Sequence, residues 1–264
     1  MKLVSGGAEL AYDVRGAGPI VVLLHGFPVN RRMWTQAAQL LSARFRVLTL
    51  DVRGFGESAL GSPAPPPSLL TLADDLAALL DAEGAPVAAV CGLSMGGYVA
   101  LAFAAQHPAR LSALILADTR ASADSPDARR ARDEGIARLG AGQVAAYLAP
   151  LPDKLLSPHA TAALRDEVRT LAAAQSPEAL AWALAAMRDR PDRSDEVRAL
   201  RCPTLVVVGS DDALTPPAEA AALRATIPGA QLAELTGAGH LSGLEAPAAF
   251  SAAVAAFLDG VIAD

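Results

Sequence analysis

Lysine is nearly missing from this sequence. Among 264 residues only Lys2 and Lys154 occur, the remaining basic side chains are arginine, and no run of basic residues exists. With a formal net charge of -6, this argues against a nucleic-acid surface or an anionic membrane as the main partner. Cysteine is equally scarce. Cys91 and Cys202 make up the whole complement, with neither CxxC nor metal-ligand spacing, so no metal site and no cofactor are expected. The two thiols are expected to be buried and unpaired in a reducing compartment. The first residues, Met1-Lys2-Leu3-Val4-Ser5-Gly6, have no apolar core long enough for a secretory signal, which leads to the expectation of a cytoplasmic protein.

What the chain does have is apolar runs punctuated by glycine. Residues 84–106 contain no charged side chain and would register as a membrane span. Gly92, Gly96 and Gly97 instead divide the stretch into strand, turn and helix, and the turn reads Gly92-Leu93-Ser94-Met95-Gly96. A Gly-x-Ser-x-Gly reversal between a buried strand and a helix exposes the serine hydroxyl and sets the helix amino end below any negative charge on a bound carbonyl. Ser94 is therefore the candidate nucleophile.

The remainder alternates strand and helix through residue 120 and again after 195, as expected of a doubly wound, mostly parallel eight-stranded sheet with helices on both faces. The alternation predicts a β-hairpin around Gly6-Gly7, strands over 20–24, 46–50, 111–117, 205–208 and 230–235, and helices over 33–42, 71–82 and 247–258. Thr71 is the expected cap of the second helix. Asp51 and Arg53 are expected to form a bracing ion pair, and 61–68 a proline-rich loop. His25 is expected to hydrogen-bond within its loop. In a serine site the N–H of Phe27, after His25-Gly26, and that of Met95 can form an oxyanion hole.

Residues 121–195 break the alternation with helical spacing and three Ser-Pro pairs at 125, 157 and 176, each suited to begin a helix. They read as an inserted helical cap over a core formed by 1–120 and 196–264. Within it, Trp182 could face an acyl group and Arg188 a substrate carboxylate, with Met187 and, after the strand at 205–208, Leu214 as further substrate contacts. The open alternative is that Trp182 is cap core and Arg188 is solvated.

Five motifs occur in order: His25-Gly26, Asp51-x-Arg53-Gly54-x-Gly56-x-Ser58, Gly92-Leu93-Ser94-Met95-Gly96-Gly97, Gly209-x-x-Asp212-x-x-x-Pro216 and Gly237-x-Gly239-His240. In these the chain resembles the α/β-hydrolase fold family, whose catalytic groups follow the order Ser, Asp, His. The resemblance implies Ser94 as nucleophile, His240 as general base and then acid, and Asp212 as the carboxylate that orients the imidazole. Asp211 and Asp118 are the rival acids. A serine nucleophile argues against the dehalogenases and epoxide hydrolases of the family, which use aspartate. The stretch around Ser94 is similar to 3-oxoadipate enol-lactonases and carboxylesterases, while His25-Gly26-Phe27-Pro28 looks more like esterases and cofactor-free perhydrolases. The implied activity is hydrolysis of small carboxylic esters or lactones. Perhydrolysis or acyl transfer on the same triad is the alternative, and a ligand-binding member without catalysis a remote one. Oligomeric state is left open.

Overall fold

Period-two alternation inside the central strands sends successive side chains to opposite faces, and both faces are apolar. Val21 and Leu23 enter one buried cluster with Cys91, Ile115 and Val207, whereas Val22 and Leu24 enter a second with Val90, Leu114 and Val206. A sheet of this kind must be covered on both sides. The computed structural model, which describes residues 1–262, shows how.

Its eight strands are β1 (Lys2–Ser5), β2 (Ala8–Arg15), β3 (Ile20–Leu24), β4 (Arg46–Leu50), β5 (Ala88–Leu93), β6 (Leu111–Ala117), β7 (Thr204–Gly209) and β8 (Gln231–Leu235). They form one sheet in the order β1-β2-β4-β3-β5-β6-β7-β8. The hairpin β1–β2 and the pair β2–β4 are antiparallel; every other neighbour is parallel. From β3 the chain runs outward to β4 and then returns to the other side of β3 as β5. Loops at such a reversal diverge and leave a crevice beyond the strand ends, where ligands of open α/β sheets bind.

The helices are α1 (Thr35–Leu41), α2 (Leu69–Ala82), α3 (Met95–Gln106), α4 (Pro126–Gly140), α5 (Val144–Leu148), α6 (Leu151–Leu155), α7 (Ala162–Ala173), α8 (Pro177–Arg188), α9 (Ser194–Arg198), α10 (Pro217–Thr226), α11 (Ser242–Glu245) and α12 (Pro247–Ile262). Helices α2, α3 and α10 pack on the Val22 side and α1 and α12 on the Val21 side. Among the described residues, no helix is long and apolar enough to cross a membrane; the uncharged run at 84–106 is β5 followed by α3.

Helices α4 to α9 intervene between β6 and β7, with α9 straddling residue 195. Two of the three Ser-Pro pairs begin helices there: the Ser125 and Ser176 side chains accept from the N–H groups of Ala128 and Ala179, each cap worth about 1 kcal/mol. The third does not. Thr161, not Ser157, caps α7 by accepting the Leu164 N–H; the Ser157 hydroxyl accepts the His159 N–H at 3.2 Å in a turn ahead of the helix and donates to Asp211. Likewise Ser68, three residues before the expected Thr71, caps α2 by accepting from the N–H of Leu70.

The expected Asp51–Arg53 pair is replaced by two separate braces. Asp51 pairs with Arg31 and also accepts the N–H groups of Arg31 and Glu57 at 2.8 Å each. Arg53 forms a buried two-pronged pair with Asp75 at 2.6 and 2.9 Å and donates to the Ser5 carbonyl. Each thus finds its partner on another element, Arg31 just before α1 and Asp75 in α2. Cys91 is buried and Cys202 half-buried, both free.

Candidate active site

The turn after β5 is tighter than a side chain at either glycine permits. A Cβ on Gly92 would lie 2.1 Å from the Gly96 carbonyl oxygen, and one on Gly96 would lie 2.3 Å from that of Leu24. Between them Ser94 adopts φ 54° and ψ -111°, a conformation that costs a non-glycine residue on the order of 1–3 kcal/mol. Neighbouring strands hold it there: the Ser94 N–H donates to the Ala117 carbonyl and the Thr119 hydroxyl to the Ser94 carbonyl, both at 2.9 Å. The hydroxyl thus stands above the amino end of α3, at the crevice between β3 and β5.

Two loops from further along the sheet meet it. His240, beyond β8, places Nε2 2.8 Å from Ser94 Oγ and Nδ1 2.8 Å from Asp212 Oδ2, the latter carried beyond β7. Oδ1 of Asp212 accepts the N–H groups of Leu214 and Thr215 at 2.8 and 3.0 Å, and Oδ2 also accepts the Thr215 hydroxyl. Burial opposes ionisation of Asp212, but the hydrogen bond and charge of His240 and the donors of Thr215 outweigh it and hold the carboxyl below its ordinary range. An ionised Asp212 accepts Nδ1–H, which leaves the Nε2 lone pair facing the Ser94 hydroxyl.

The rival acids lie elsewhere. Asp211 accepts the hydroxyls of Ser157 and Ser210 at 2.7 and 3.0 Å. Asp118, buried at the end of β6 with φ 46°, accepts the Gly209 N–H at 2.9 Å and both the N–H and the hydroxyl of Ser242. Burial pushes the Asp118 carboxyl up to about 7, against the nearby His240 and these donors, which favour its ionised form.

The loop after β3 runs beside the serine: a Cβ on Gly26 would lie 3.5 Å from Ser94 Cβ. The N–H groups of Phe27 and Met95, on either side of this contact, have no acceptor among the described residues. His25 is wholly buried, donates from Nδ1 to the Gly26 carbonyl at 3.0 Å and accepts the Val52 N–H on Nε2 at 3.1 Å. Burial lowers its pKa, and the neutral ring ties the ends of β3 and β4 together. Among the described residues, no group of three or more His, Cys, Asp or Glu side chains could hold a metal ion.

Residues 19–247 match the family model for the alpha/beta hydrolase fold. The chain belongs to the α/β-hydrolase fold family. Its relatives within the family include a Caulobacter sp. (strain K31) protein named carbamate hydrolase RutD, 33% identical over 261 residues that cover 95% of this chain and 96% of the relative. Among solved structures, a thermophilic esterase from Thermogutta terrifontis, with malate bound, superposes with a TM-score of 0.92 at 37% identity, covering 98% of this chain and 97% of that one. The enol-lactonase from Burkholderia xenovorans LB400 superposes with a TM-score of 0.87 at 29% identity, covering 98% and 99%.

Of the four residues expected to contact substrate, Trp182, Met187 and Arg188 lie in α8 and Leu214 in the loop after β7. Trp182 is buried and donates from Nε1 to the Pro65 carbonyl at 2.7 Å, stapling α8 to the proline-rich loop. Arg188 is paired with Asp133 and Asp189, at 2.6 and 2.7 Å, which occupies the guanidinium expected to meet a substrate carboxylate. Met187 is buried, with Sδ 3.5 Å from an Arg132 nitrogen. Leu214 exposes its side chain and acts on Asp212 through its N–H. None of these contacts reaches Ser94. Helical spacing shows which residues share a face, not which way that face points.

Two polar side chains carry no motif and escaped the sequence reading. Glu245 accepts the N–H groups of Gly239 and Leu241, the two neighbours of His240, at 2.9 and 3.3 Å. Gln175 accepts the Gly56 N–H at 2.8 Å. A carboxylate five residues after His240 was the only local signal for Glu245.

Proposed function

We propose that this protein is a serine hydrolase that cleaves small carboxylic esters or lactones through an acyl-enzyme on Ser94. The observation that carries the reading is the continuous chain Ser94 Oγ, His240 Nε2, His240 Nδ1, Asp212 Oδ2, with both hydrogen bonds at 2.8 Å. Esterase and enol-lactonase relatives that cover almost the whole chain support the substrate class.

In this mechanism Ser94 Oγ attacks the substrate carbonyl carbon while its proton passes to His240 Nε2, and Asp212 stabilises the imidazolium. The carbonyl electrons move onto oxygen, and that anion is received by the N–H groups of Phe27 and Met95 above the amino end of α3. One such donor is worth about 2.7–4 kcal/mol of barrier. Collapse of the tetrahedral species breaks the bond to the leaving oxygen, which takes the proton from His240. A water then gives a proton to Nε2 as its oxygen attacks the acyl carbon, and the second collapse returns the proton to Ser94 and frees the acid. Residues 121–195 serve as a cap over the core formed by 1–120 and 196–264, and exclude water from the crevice.

Ser94→Ala tests this directly. Turnover of p-nitrophenyl acetate or butyrate is expected to fall by about 10⁴-fold or more, and covalent labelling by a fluorophosphonate is expected to disappear. Retained turnover in this variant overturns the assignment.

A further inference from the structure

The inserted helices reach the loops that carry His240 and Asp212 through residues 155–157, from the last residue of α6 into the link to α7. Four observations converge there. The His240 N–H donates to the Leu155 carbonyl at 2.9 Å. The Ser157 N–H donates to Glu245 Oε2 at 2.8 Å, and the other oxygen of Glu245 holds the N–H groups on both sides of His240. The Ser157 hydroxyl donates to Asp211 Oδ2 at 2.7 Å, one residue before the acid Asp212. The contact is also sterically tight, since a Cβ on Gly239 would lie 2.3 Å from the Ser157 nitrogen.

From its own side the segment is fastened by Arg165 of α7, which donates to the Ser157 carbonyl at 3.1 Å and pairs with Asp153 at 2.7 Å. Ser157 is buried. Its hydroxyl oxygen accepts the His159 N–H at 3.2 Å, while both of its donors are turned toward the core loops.

We infer that residues 155–157 form a strap that sets the spacing between the base loop and the acid loop, with Ser157 and Glu245 as positioning residues for His240 and Asp212. The strap rests on the serine-hydrolase reading, because it explains how the insertion supports the Ser94–His240–Asp212 chain besides covering it. Its chemistry is that of oriented hydrogen bonds. Glu245 fixes the main chain on both sides of the imidazole, and Ser157 joins this assembly to Asp211, so that the two loops move as one body. Hydrogen bonds to charged groups are among the stronger ones a side chain makes, so their loss is felt at the reacting atoms as misplacement.

The test uses the full chain with Ser157→Ala, Asp211→Ala, their double variant, Asp211→Asn and Glu245→Gln. Thermal melts verify folding. Ser157→Ala and Asp211→Ala are each expected to lower both kcat and the rate of Ser94 labelling by a fluorophosphonate about three- to tenfold, with KM unchanged within about twofold. The double variant is expected to lose no more than the worse single one, because both remove the same bond. Asp211→Asn keeps an acceptor oxygen and is expected to recover most of what Asp211→Ala loses. Glu245→Gln, which turns an N–H donor toward an N–H, is expected to lose about tenfold or more.

Folded variants that label and turn over at the wild-type rate, or single losses that multiply in the double variant, overturn the strap. A wild-type protein that neither labels nor turns over esters overturns the hydrolase reading instead. The strap is then decided by the ring resonance of His240 in NMR spectra, which must shift in Ser157→Ala if the segment sets the imidazole, and which overturns the strap if it stays in place.

Discussion

The ends of β6 and β7 lie side by side, and each carries a buried carboxylate. Asp212, beyond β7, faces an imidazole. Asp118, at the end of β6, faces two main-chain N–H groups and the Ser242 hydroxyl. Both are nearly devoid of solvent, yet burial is overcome in one and prevails in the other: the Asp212 carboxyl is held below its ordinary range, whereas that of Asp118 is raised to about 7. The lesson is that a buried acid is assigned to chemistry by the partner it faces, not by its depth. Asp212 can stabilise a cation that forms during a reaction. Asp118 joins Gly209 at the end of β7 to Ser242 beyond the base, so its work is to hold two loops together.

The largest expected difference between the two regions is kinetic. Asp212→Asn removes the charge that stabilises the imidazolium and offers an amide that can stabilise the wrong tautomer, so kcat for an activated ester is expected to fall about 10³–10⁴-fold with the fold retained. Asp118→Asn leaves the Ser94–His240–Asp212 chain in place, and its kcat is expected to fall less than about tenfold. Steady-state kinetics on both folded variants check this. Equal losses would mean that Asp118 serves the imidazole, as the rival reading of the sequence has it.

Stability against pH separates the two next, with opposite signs. A carboxyl near 3.9 in the unfolded chain and about 7 in the folded one gives the native state the greater number of bound protons between those values. Asp118 therefore makes the protein less stable as pH rises from about 4 to about 7, by a few kcal/mol at most. Asp212, lowered in the fold, contributes stability that is present above about pH 4 and lost as pH falls through its folded value. Urea midpoints across pH 3–8 are expected to show wild type declining relative to Asp118→Asn from about pH 4 to about pH 7 and levelling above it. The difference between wild type and Asp212→Asn is expected to vary only at the acid end.

This contrast also marks how far the sequence could be read. Runs such as Ile20–Leu24 and the glycines around Ser94 announce a buried parallel strand and its tight turn, because both depend on residues close together in the chain. The family resemblance, through a motif with Pro216 four residues after the acid, implies Asp212 over Asp211, and the structure sets Asp212 against His240 and Asp211 against Ser157. What could not be read were relations between loops distant in sequence. Ser242 meets Asp118 across 124 residues and Ser157 meets Glu245 across 88, and neither pair has a spacing signature. Local rules misplaced the start of α2 at Thr71 and the helix expected at Ser157 for a related reason: several residues could have capped, and tertiary contacts chose among them.

The finest distinction lies in two hydroxyls, one beside each acid. The Thr215 side chain donates to Asp212 and lies 3.2 Å from His240 Nδ1, while that of Ser242 donates to Asp118. Thr215→Val removes one donor from the carboxylate that must stay ionised as the imidazolium forms. A loss of about 1 kcal/mol at that step corresponds to a roughly fivefold fall in kcat, with the acid limb of the kcat pH profile displaced. Ser242→Ala removes a donor of the same kind from a carboxylate that holds main chain. Its kcat is expected to stay within about twofold, while the melting temperature falls by about 2–4 °C per kcal/mol lost. Were Ser242→Ala to move the pH profile as Thr215→Val does, the ends of β6 and β7 would be one electrostatic unit. Separate responses make β7 the chemical end of the sheet and β6 its fastening.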